Sequence, residues 1–433
     1  MDLTSSLRSR LEALGDAFWL RPALVVAAGI VLGELAVWAE RAGLDVPLLP
    51  ASWVYAGGES GARSLLGAIA SSTIGVAGTT FSITVAALSL ASGQMGPRLL
   101  RNFTRDAGNQ LALGIFLGTF AYALVVLRTL RSVDETPFVP HLGVTGALLG
   151  ALLCVGTLIW FVHHVATGIN VETVINLVHE DLREALARLT FDRPDPAAPR
   201  EPPRGHPVTA REGGYLRALD EAALADWAEQ RGAVVVLLVR PGDYVFPGAP
   251  VAEVSPAASA GDAAAPVRAT LSLGVRQAAG QDLEFTVRQL VEVAVRALSP
   301  GINDPFTAMA VLERLGATLC ELALRHLAGP IVLRSGRAVL HRRAIGYDGL
   351  CDAMFHMIRQ NADGSAAVLI RLLEVLTDVL AVEASSGRRA ALRRHADLAL
   401  ATGRAGLQDP AGVADLNARH DSFLRAMAST GSP

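Results

Sequence analysis

The chain has 433 residues, of which 51% are hydrophobic and only 18% are charged, and its formal net charge at pH 7 is −3. Its mean hydropathy of +0.37 is high for a protein without membrane-spanning segments. The near-neutral charge argues against nucleic-acid binding, which needs a basic surface. All 38 basic residues are arginine, which excludes a phosphate-loop lysine and a Schiff-base lysine.

The sequence contains little that predicts catalysis or metal binding. Its three cysteines, Cys154, Cys320 and Cys351, are widely spaced and form no CxxC pair, so neither a structural zinc site nor a disulfide framework is predicted. The sequence has no nucleophile elbow, no HExxH motif and no phosphate loop. We therefore expect no enzyme activity, no cofactor and no bound metal.

Four apolar stretches at the start of the chain are typical of transmembrane helices. They cover about residues 20–40, 65–92, 109–129 and 142–164, and each is close to the 20 or so helical residues that cross a bilayer. Leucines at helical spacing over residues 3–18 predict an amphipathic surface helix before the first span. Together these segments form a predicted transmembrane domain at residues 1–166.

The placement of arginine predicts the orientation of the spans. Arg8, Arg10 and Arg21 precede the first span, and Arg98, Arg101 and Arg105 lie between the second and the third. Because basic residues accumulate in cytoplasmic loops, both termini are expected in the cytoplasm. His163 and His164 end the fourth span and face different sides of the helix, so we interpret them as interfacial polar residues.

The second span carries a continuous row of small residues at helical spacing. Such a row permits close helix packing or leaves room along a pore, and the sequence leaves both interpretations open. In a pore, Arg98, Arg101 and Arg105 would lie at the mouth and favour anions. The predicted pore-lining residues are Ser72, Gly75, Thr79, Ser82, Ala86, Ser89 and Gly93. A neighbouring row, also small, contains Thr73, Ala77 and Thr80.

Two further small-residue patterns are interpreted as packing faces. Gly114 and Gly118 in the third span, and Gly146 and Gly150 in the fourth, have GxxxG spacing. Glycines four residues apart lie on one face of a helix and let another backbone approach closely.

The rest of the chain is predicted to be a cytoplasmic α+β domain in four parts. A helical extension covers 167–191, and a proline-rich linker covers 192–214. A small β-rich module is expected at 215–275, with residues 255–265 as a low-complexity loop. A mainly helical domain is expected at 276–433, with a short hairpin formed by residues 331–333 and 339–341.

The segment from Ser299 to Pro305 predicts a sharp turn between two helices. Pro300 and Gly301 end the first helix, and Asp304 followed by Pro305 is a typical helix start. The segment is also a candidate ligand site, since five polar side chains would converge there. They are Arg296, Ser299, Asn303, Asp304 and Thr307. Scaffolding and ligand binding both remain open.

Two segments resemble one known family. The run from Thr79 to Leu88, continuing through Gln94 to Arg98, and the run from Arg288 to Pro305 are similar to signatures of an uncharacterised bacterial family of predicted integral membrane proteins, a family built on a domain of unknown function. With the four-span layout, the resemblance extends over nearly the whole chain. It implies a multi-pass protein of the bacterial inner membrane and carries no catalytic residues.

The sequence thus predicts a mainly α fold, with a four-helix transmembrane module followed by a cytoplasmic α+β domain that has a small β-rich part and a C-terminal helical part. The preferred function is an oligomeric ion channel or transporter with a cytoplasmic regulatory domain. The expected partners are the lipid bilayer, further copies of the chain and a small ion or solute. The alternative is a membrane-anchored ligand sensor or scaffold without a transport path.

Overall fold

The computed structural model confirms the predicted fold class. It describes residues 18–43, 54–95, 106–130, 138–168, 170–193, 201–277 and 280–429. The chain divides between Thr173 and Val174 into two compact units. Most of the predicted surface helix at residues 3–18 lies outside the described residues.

The first unit contains four helices that are long and apolar enough to cross a membrane. They are α1 (Leu20–Arg41), α2 (Glu59–Met95), α3 (Ala107–Leu127) and α4 (His141–Gly168). The central helix is α3, which contacts the other three. A larger share of α3 is buried than of any of the other three spans, which agrees with its interior position.

Glycines set the distance between these helices. A Cβ added to Gly29 of α1 would lie 2.4 Å from the carbonyl oxygen of Gly118 on α3, so the two backbones touch. A Cβ on Gly146 of α4 would lie 2.1 Å from the hydroxyl oxygen of Tyr122 on α3. Both GxxxG sequences therefore form packing faces, as predicted.

A carboxylate joins the end of one helix to the start of another helix that lies far along the sequence. Glu40, near the end of α1, accepts hydrogen bonds from the backbone N–H groups of His141 (2.7 Å) and Leu142 (3.0 Å). These N–H groups begin α4 and have no partner within that helix. A negative charge there also opposes the positive end of the helix dipole.

The second unit combines short sheets with packed helices. Its helices are α5 (Val171–Leu189), α6 (Glu221–Gln230), α7 (Ala257–Ala260), α8 (Ala264–Ala269), α9 (Leu283–Ala297), α10 (Pro305–Ala323), α11 (Tyr347–Asn361), α12 (Ala366–Val382), α13 (Ser386–Gly406) and α14 (Pro410–Ser429). Its strands are β1 (Thr190–Phe191), β2 (His206–Thr209), β3 (Gly214–Leu219), β4 (Val234–Leu237), β5 (Tyr244–Val245), β6 (Pro250–Ser255), β7 (Leu271–Gly274), β8 (His326–Leu327), β9 (Ile331–Arg334) and β10 (Arg337–His341). Helix α5 begins just before this unit, and Asn170 caps it by accepting from the N–H of Glu172.

The strands form three sheets. The largest has the order β2-β6-β4-β10-β9, with β4 and β10 parallel and the other neighbours antiparallel. A second sheet has the order β5-β3-β7, and β1 pairs with β8. Helix α6 packs on the largest sheet, and its N-cap Asp220 accepts from the N–H of Ala223 at 3.0 Å, as its sequence position predicts.

The structure differs from the predicted parts of this region in two places. The proline-rich linker at 192–214 contains β2, whose backbone pairs with β6 and whose Val208 is buried. The low-complexity loop at 255–265 contains α7 and the start of α8. The predicted hairpin at residues 331–341 is confirmed as β9 and β10, which pair antiparallel, and β10 also joins the sheet beside β4.

The C-terminal helices form a layered core. Helix α9 packs against α10 and α11, α12 lies between α10 and α14, and α13 contacts α11, α12 and α14. The facing positions are apolar at helical spacing, as in α12, where Leu369, Leu372, Leu373 and Leu376 are buried.

Candidate functional site

The small-residue row of α2 lies on the side of the helix that the other spans leave open. Ser72, Thr79 and Ser82 are exposed in the single chain. The second row of small residues packs against the other spans instead, because its members Thr73 and Thr80 are buried on the opposite face of α2. At 100° per residue the two rows are roughly 180° apart around the helix. The sequence predicted both rows, and the structure shows which one covers α3.

The hydroxyl groups of the exposed row are bonded to their own helix. Ser72, Thr79 and Ser82 each donate to a backbone carbonyl three or four residues earlier, at 3.0, 3.1 and 3.0 Å. Each hydroxyl oxygen keeps lone pairs that can accept further hydrogen bonds. The open face of α2 therefore presents hydrogen-bond acceptors, because each hydroxyl hydrogen is already donated to a carbonyl of the same helix.

The structure describes the other predicted pore-lining residues of α2 but not the predicted pore mouth. Ala86 and Ser89 continue the exposed row, while Gly75 has no atom within 4 Å of the place where a Cβ would lie. Gly93 lies near the end of α2 at Met95. The three arginines of the predicted pore mouth, Arg98, Arg101 and Arg105, lie outside the described residues.

A small, mostly apolar pocket of about 150 Å³ lies where the second half of α2, the start of α3 and the end of α4 meet, and a few polar side chains line it. His164 Nε2 is 2.6 Å from the Asp106 carboxylate, and the His164 ring stacks on Trp160 with centroids 4.7 Å apart. Asn109 lines the same pocket, and its buried side-chain oxygen has no hydrogen-bond partner among the described residues. The pocket thus has an ionisable pair beside an unused acceptor.

The sequence did not predict this pocket. His164 was interpreted as an interfacial residue, and its partner Asp106 lies 58 residues away at the N-cap of α3. A usable signal was present, because an acid directly before a transmembrane helix lies close to the arginine-rich loop at residues 98–105. This signal indicates which end of the bundle contains the polar groups, but it does not identify the partner of Asp106.

The predicted ligand residues around Ser299 form one compact turn. Asp304 accepts from the backbone N–H groups of Phe306 (3.1 Å) and Thr307 (3.2 Å) and from the Thr307 hydroxyl at 2.6 Å. Ser299 donates to the carbonyl of Arg296 at 2.6 Å. Asn303 is exposed and adopts a positive φ of 50°. These contacts support the scaffolding interpretation, since the polar groups hold the turn itself.

A second polar site lies in a cleft of about 270 Å³ in the second unit. Arg240 forms an ion pair with Glu284 at 2.8 Å, and Arg342 pairs with Glu221. Asp282 lines the same cleft and caps α9 with one carboxylate oxygen, while the other oxygen is buried and has no partner within the part of the chain that the structure describes. Burial raises the pKa of Asp282 above its ordinary value.

The comparisons with known proteins agree with this architecture. Residues 15–378 match the family model described as "Predicted membrane protein (DUF2254)". The chain belongs to this family. It is 31% identical over 406 residues to an uncharacterized protein of Mycobacterium tuberculosis, and the match covers 90% of this chain and 77% of that protein. An uncharacterized protein of Mycobacterium bovis matches with the same identity and coverage. No solved structure matches the chain.

The family confirms the resemblance that the two sequence runs predicted and the location in a membrane. Both runs, from Thr79 to Arg98 and from Arg288 to Pro305, lie inside the matched range. Neither the description of the family nor the names of the two relatives state an activity. The function must therefore be argued from the residues of this chain.

Proposed function

We propose that the protein is a homo-oligomeric channel or transporter for small ions or solutes. In this proposal α2 of each copy lines the path and the second unit regulates it. The path ends beside the pocket of Asp106 and His164. The chain crosses the membrane four times, so both of its flanks are on one side, which we expect to be the cytoplasm of a bacterial inner membrane.

The carrying observation is a contrast between outward faces of the same bundle. Many exposed side chains of α1 and α4 are large and apolar, with Leu32 57%, Leu152 65% and Ile159 70% exposed. Helix α2 also exposes large apolar side chains, such as Phe81 at 50%, but one side of it carries the exposed hydroxyl groups of Ser72 and Ser82. A face in contact with lipid tails gains nothing from hydroxyl groups, whereas an interface or a polar path does.

Symmetry supplies the rest of the path. Three helices pack around α3, so the described part of the unit has α3 and no opening at its centre. Copies arranged around an axis would bring their α2 faces together and enclose a space lined by short polar side chains. Within the described part of the subunit, no group donates a hydrogen bond to the hydroxyl oxygens of that face. These oxygens can therefore accept hydrogen bonds from a hydrated solute.

The proposal retains the anion preference predicted from the sequence. Three arginines between α2 and α3 would place positive charge at the mouth, which concentrates anions and repels cations. Changing Arg98, Arg101 and Arg105 to Gln should therefore lower the ratio of chloride to potassium permeability. A clear cation preference of the unchanged protein would remove the anion part of the proposal alone.

The main test compares one substitution at two matched places. Ala86→Leu enlarges the open face of α2, and Ala27→Leu makes the same change at an exposed position of α1 among large apolar neighbours. Purified protein in liposomes is assayed for chloride and potassium flux, and its oligomeric state is measured by native mass spectrometry. We expect Ala86→Leu to keep the oligomer and reduce flux at least about tenfold, as occlusion of a pore requires. Ala27→Leu should change neither quantity.

Two results would contradict the proposal. Unchanged flux in both Ala86→Leu and Ser82→Leu, with the oligomer intact, would show that the face does not line the path. Loss of the oligomer in these variants would show that the face is a packed interface, because overpacking such a contact costs about 1–3 kcal/mol.

The cleft around Asp282 favours a second candidate function, a membrane-anchored ligand sensor. Its paired arginines and carboxylates, with a buried carboxylate oxygen that lacks a partner, are suited to a small polar ligand. A protein that shows no flux for any tested ion, yet is stabilised against heat by a polar metabolite, would be assigned to this class. Loss of that stabilisation in Arg240→Gln would place the ligand in the cleft.

A further inference from the structure

Two helices of the C-terminal core bring one carboxylate and two imidazoles together. Asp352 and His356 lie one turn apart on α11, and His395 lies on α13. Nε2 of His356 is 2.9 Å from Asp352 Oδ1, and Nε2 of His395 is 3.1 Å from the same oxygen. The three candidate ligand atoms all lie within 4.8 Å of one another.

The cluster leaves buried nitrogens without hydrogen bonds. His395 is completely buried, and within the described residues neither of its ring nitrogens has a hydrogen-bond partner. Its 3.1 Å contact with Asp352 is close but too poorly aligned to be a hydrogen bond. Nδ1 of His356 is also buried without a partner. Such groups cost about 1–3 kcal/mol each when they are left unsatisfied, so they need an explanation.

We propose that Asp352, His356 and His395 bind a divalent transition-metal ion of the zinc class. Two imidazoles and a carboxylate are a donor set that suits this class. Zinc lies about 2.0–2.1 Å from such atoms in a tetrahedral site, so its ligands are roughly 3.3 Å from one another. The observed separations on Asp352 Oδ1 are within a few tenths of an ångström of that value. The part-exposed side of Asp352 and His356 leaves a fourth position open to water.

The surroundings keep His395 in the form that binds metal. Burial, with smaller contributions from the charges of Arg394 and His356, lowers the pKa of His395 to about 4. The ring is therefore neutral near pH 7, and a neutral imidazole has a lone pair for a metal.

Arg394 is the group that competes with the ion. Its guanidinium donates to Asp352 at 2.6 Å and also lies 3.7 Å from Asp348, on the same helix as Asp352. The side chain is 41% exposed, so it can move to Asp348 when an ion occupies the cluster. Metal binding would then connect α11 to α13 and replace the Arg394–Asp352 ion pair with an Arg394–Asp348 ion pair.

This site does not follow from family membership. Asp352 and His356 lie inside the matched range, but His395 lies beyond its end at residue 378. The inference is also independent of the proposed transport function, because it needs no oligomer and no flux.

The test uses the full-length protein in detergent without a polyhistidine tag. The protein is stripped with EDTA, transferred to chelator-free buffer and titrated with Zn²⁺ by calorimetry, while Co²⁺ is followed by visible absorption. We expect one ion per chain, an intense tetrahedral Co²⁺ spectrum and a higher melting temperature with Zn²⁺. His356→Gln, at a part-exposed position, should weaken binding by at least about 100-fold, the upper end of the loss for an outer-shell partner.

Two further variants make the result specific. His420→Gln removes another histidine–aspartate pair, formed with Asp397 at 2.8 Å, and should leave the affinity for Zn²⁺ unchanged. Arg394→Gln removes the competing cation and should tighten binding, which a purely structural ion-pair cluster would not predict. The proposal is overturned if the stripped wild-type protein binds no Zn²⁺, or if His356→Gln and Asp352→Asn bind it as tightly as the wild type.

Discussion

The close contact between α1 and α3 can be tested with one methyl group. In Gly29→Ala the new Cβ would lie 2.4 Å from the carbonyl oxygen and 3.1 Å from the Cα of Gly118. These atoms belong to the backbone of α3, so no side chain can rotate away. The two helices must therefore separate by about 1 Å, a gap that forfeits roughly a quarter to a half of each van der Waals contact along the seam.

The expected destabilisation is about 2 kcal/mol, within the range of about 1–3 kcal/mol for overpacked sites. Gly75→Ala is the matched control, because a Cβ on Gly75 would meet no atom within 4 Å. Alanine in place of an exposed helical glycine should stabilise the helix by about 0.5–1 kcal/mol. The same substitution in two neighbouring spans is thus expected to have opposite signs.

The assay is thermal unfolding of both variants in one detergent, followed by near-ultraviolet circular dichroism. A loss of about 2 kcal/mol corresponds to a melting temperature roughly 4–8 °C lower for a unit of this size. The packing argument is refuted if Gly29→Ala melts at the wild-type temperature. If Gly75→Ala is as damaging as Gly29→Ala, the open face of α2 is itself a close helix contact.

Other features give predictions of their own. Burial raises the pKa of Asp282, so ionisation of this carboxyl group lowers the stability of the protein as the pH rises through that pKa. Asp282→Asn should therefore raise the melting temperature at about pH 8 and change it little at about pH 4. Equal shifts of the melting temperature at both pH values would contradict this prediction. Asp304→Ala should cost about 1 kcal/mol through loss of the helix cap, measured by chemical denaturation, and Asp304→Asn should cost much less. A reporter fused after Pro433, and another inserted at Arg101, should both give cytoplasmic signals, and a periplasmic signal at either position would overturn the predicted orientation.

Local features were predictable from the sequence because their partners lie within one or two turns. The caps at Asp220 and Asp304 bond to N–H groups two or three residues ahead, and the glycine spacing in α3 and α4 marks one helix face. The four spans also follow from hydropathy alone, since length and apolar composition determine whether a helix can cross the bilayer.

The candidate sites were less predictable because their members come from different helices. Asp106 and His164 are 58 residues apart, and neither residue alone suggests a pair. In α2 both rows are small, so composition cannot distinguish the packed row from the open one. That distinction depends on Phe116 and Ala112 of α3, which fill the space beside Ala77.

The parallel pairing of β4 with β10 has a consequence for synthesis of the chain. Strand β4 ends at Leu237, and β10 ends at His341, so one edge of β4 stays open while roughly 100 further residues are made. At about 5–20 residues per second this interval lasts several seconds to some twenty seconds. During that time Val235 and Leu237 present an unpaired apolar edge that can associate with another nascent chain. Helices α9 and α10 are made within the same interval, so the chain between β4 and β10 carries them as an insertion.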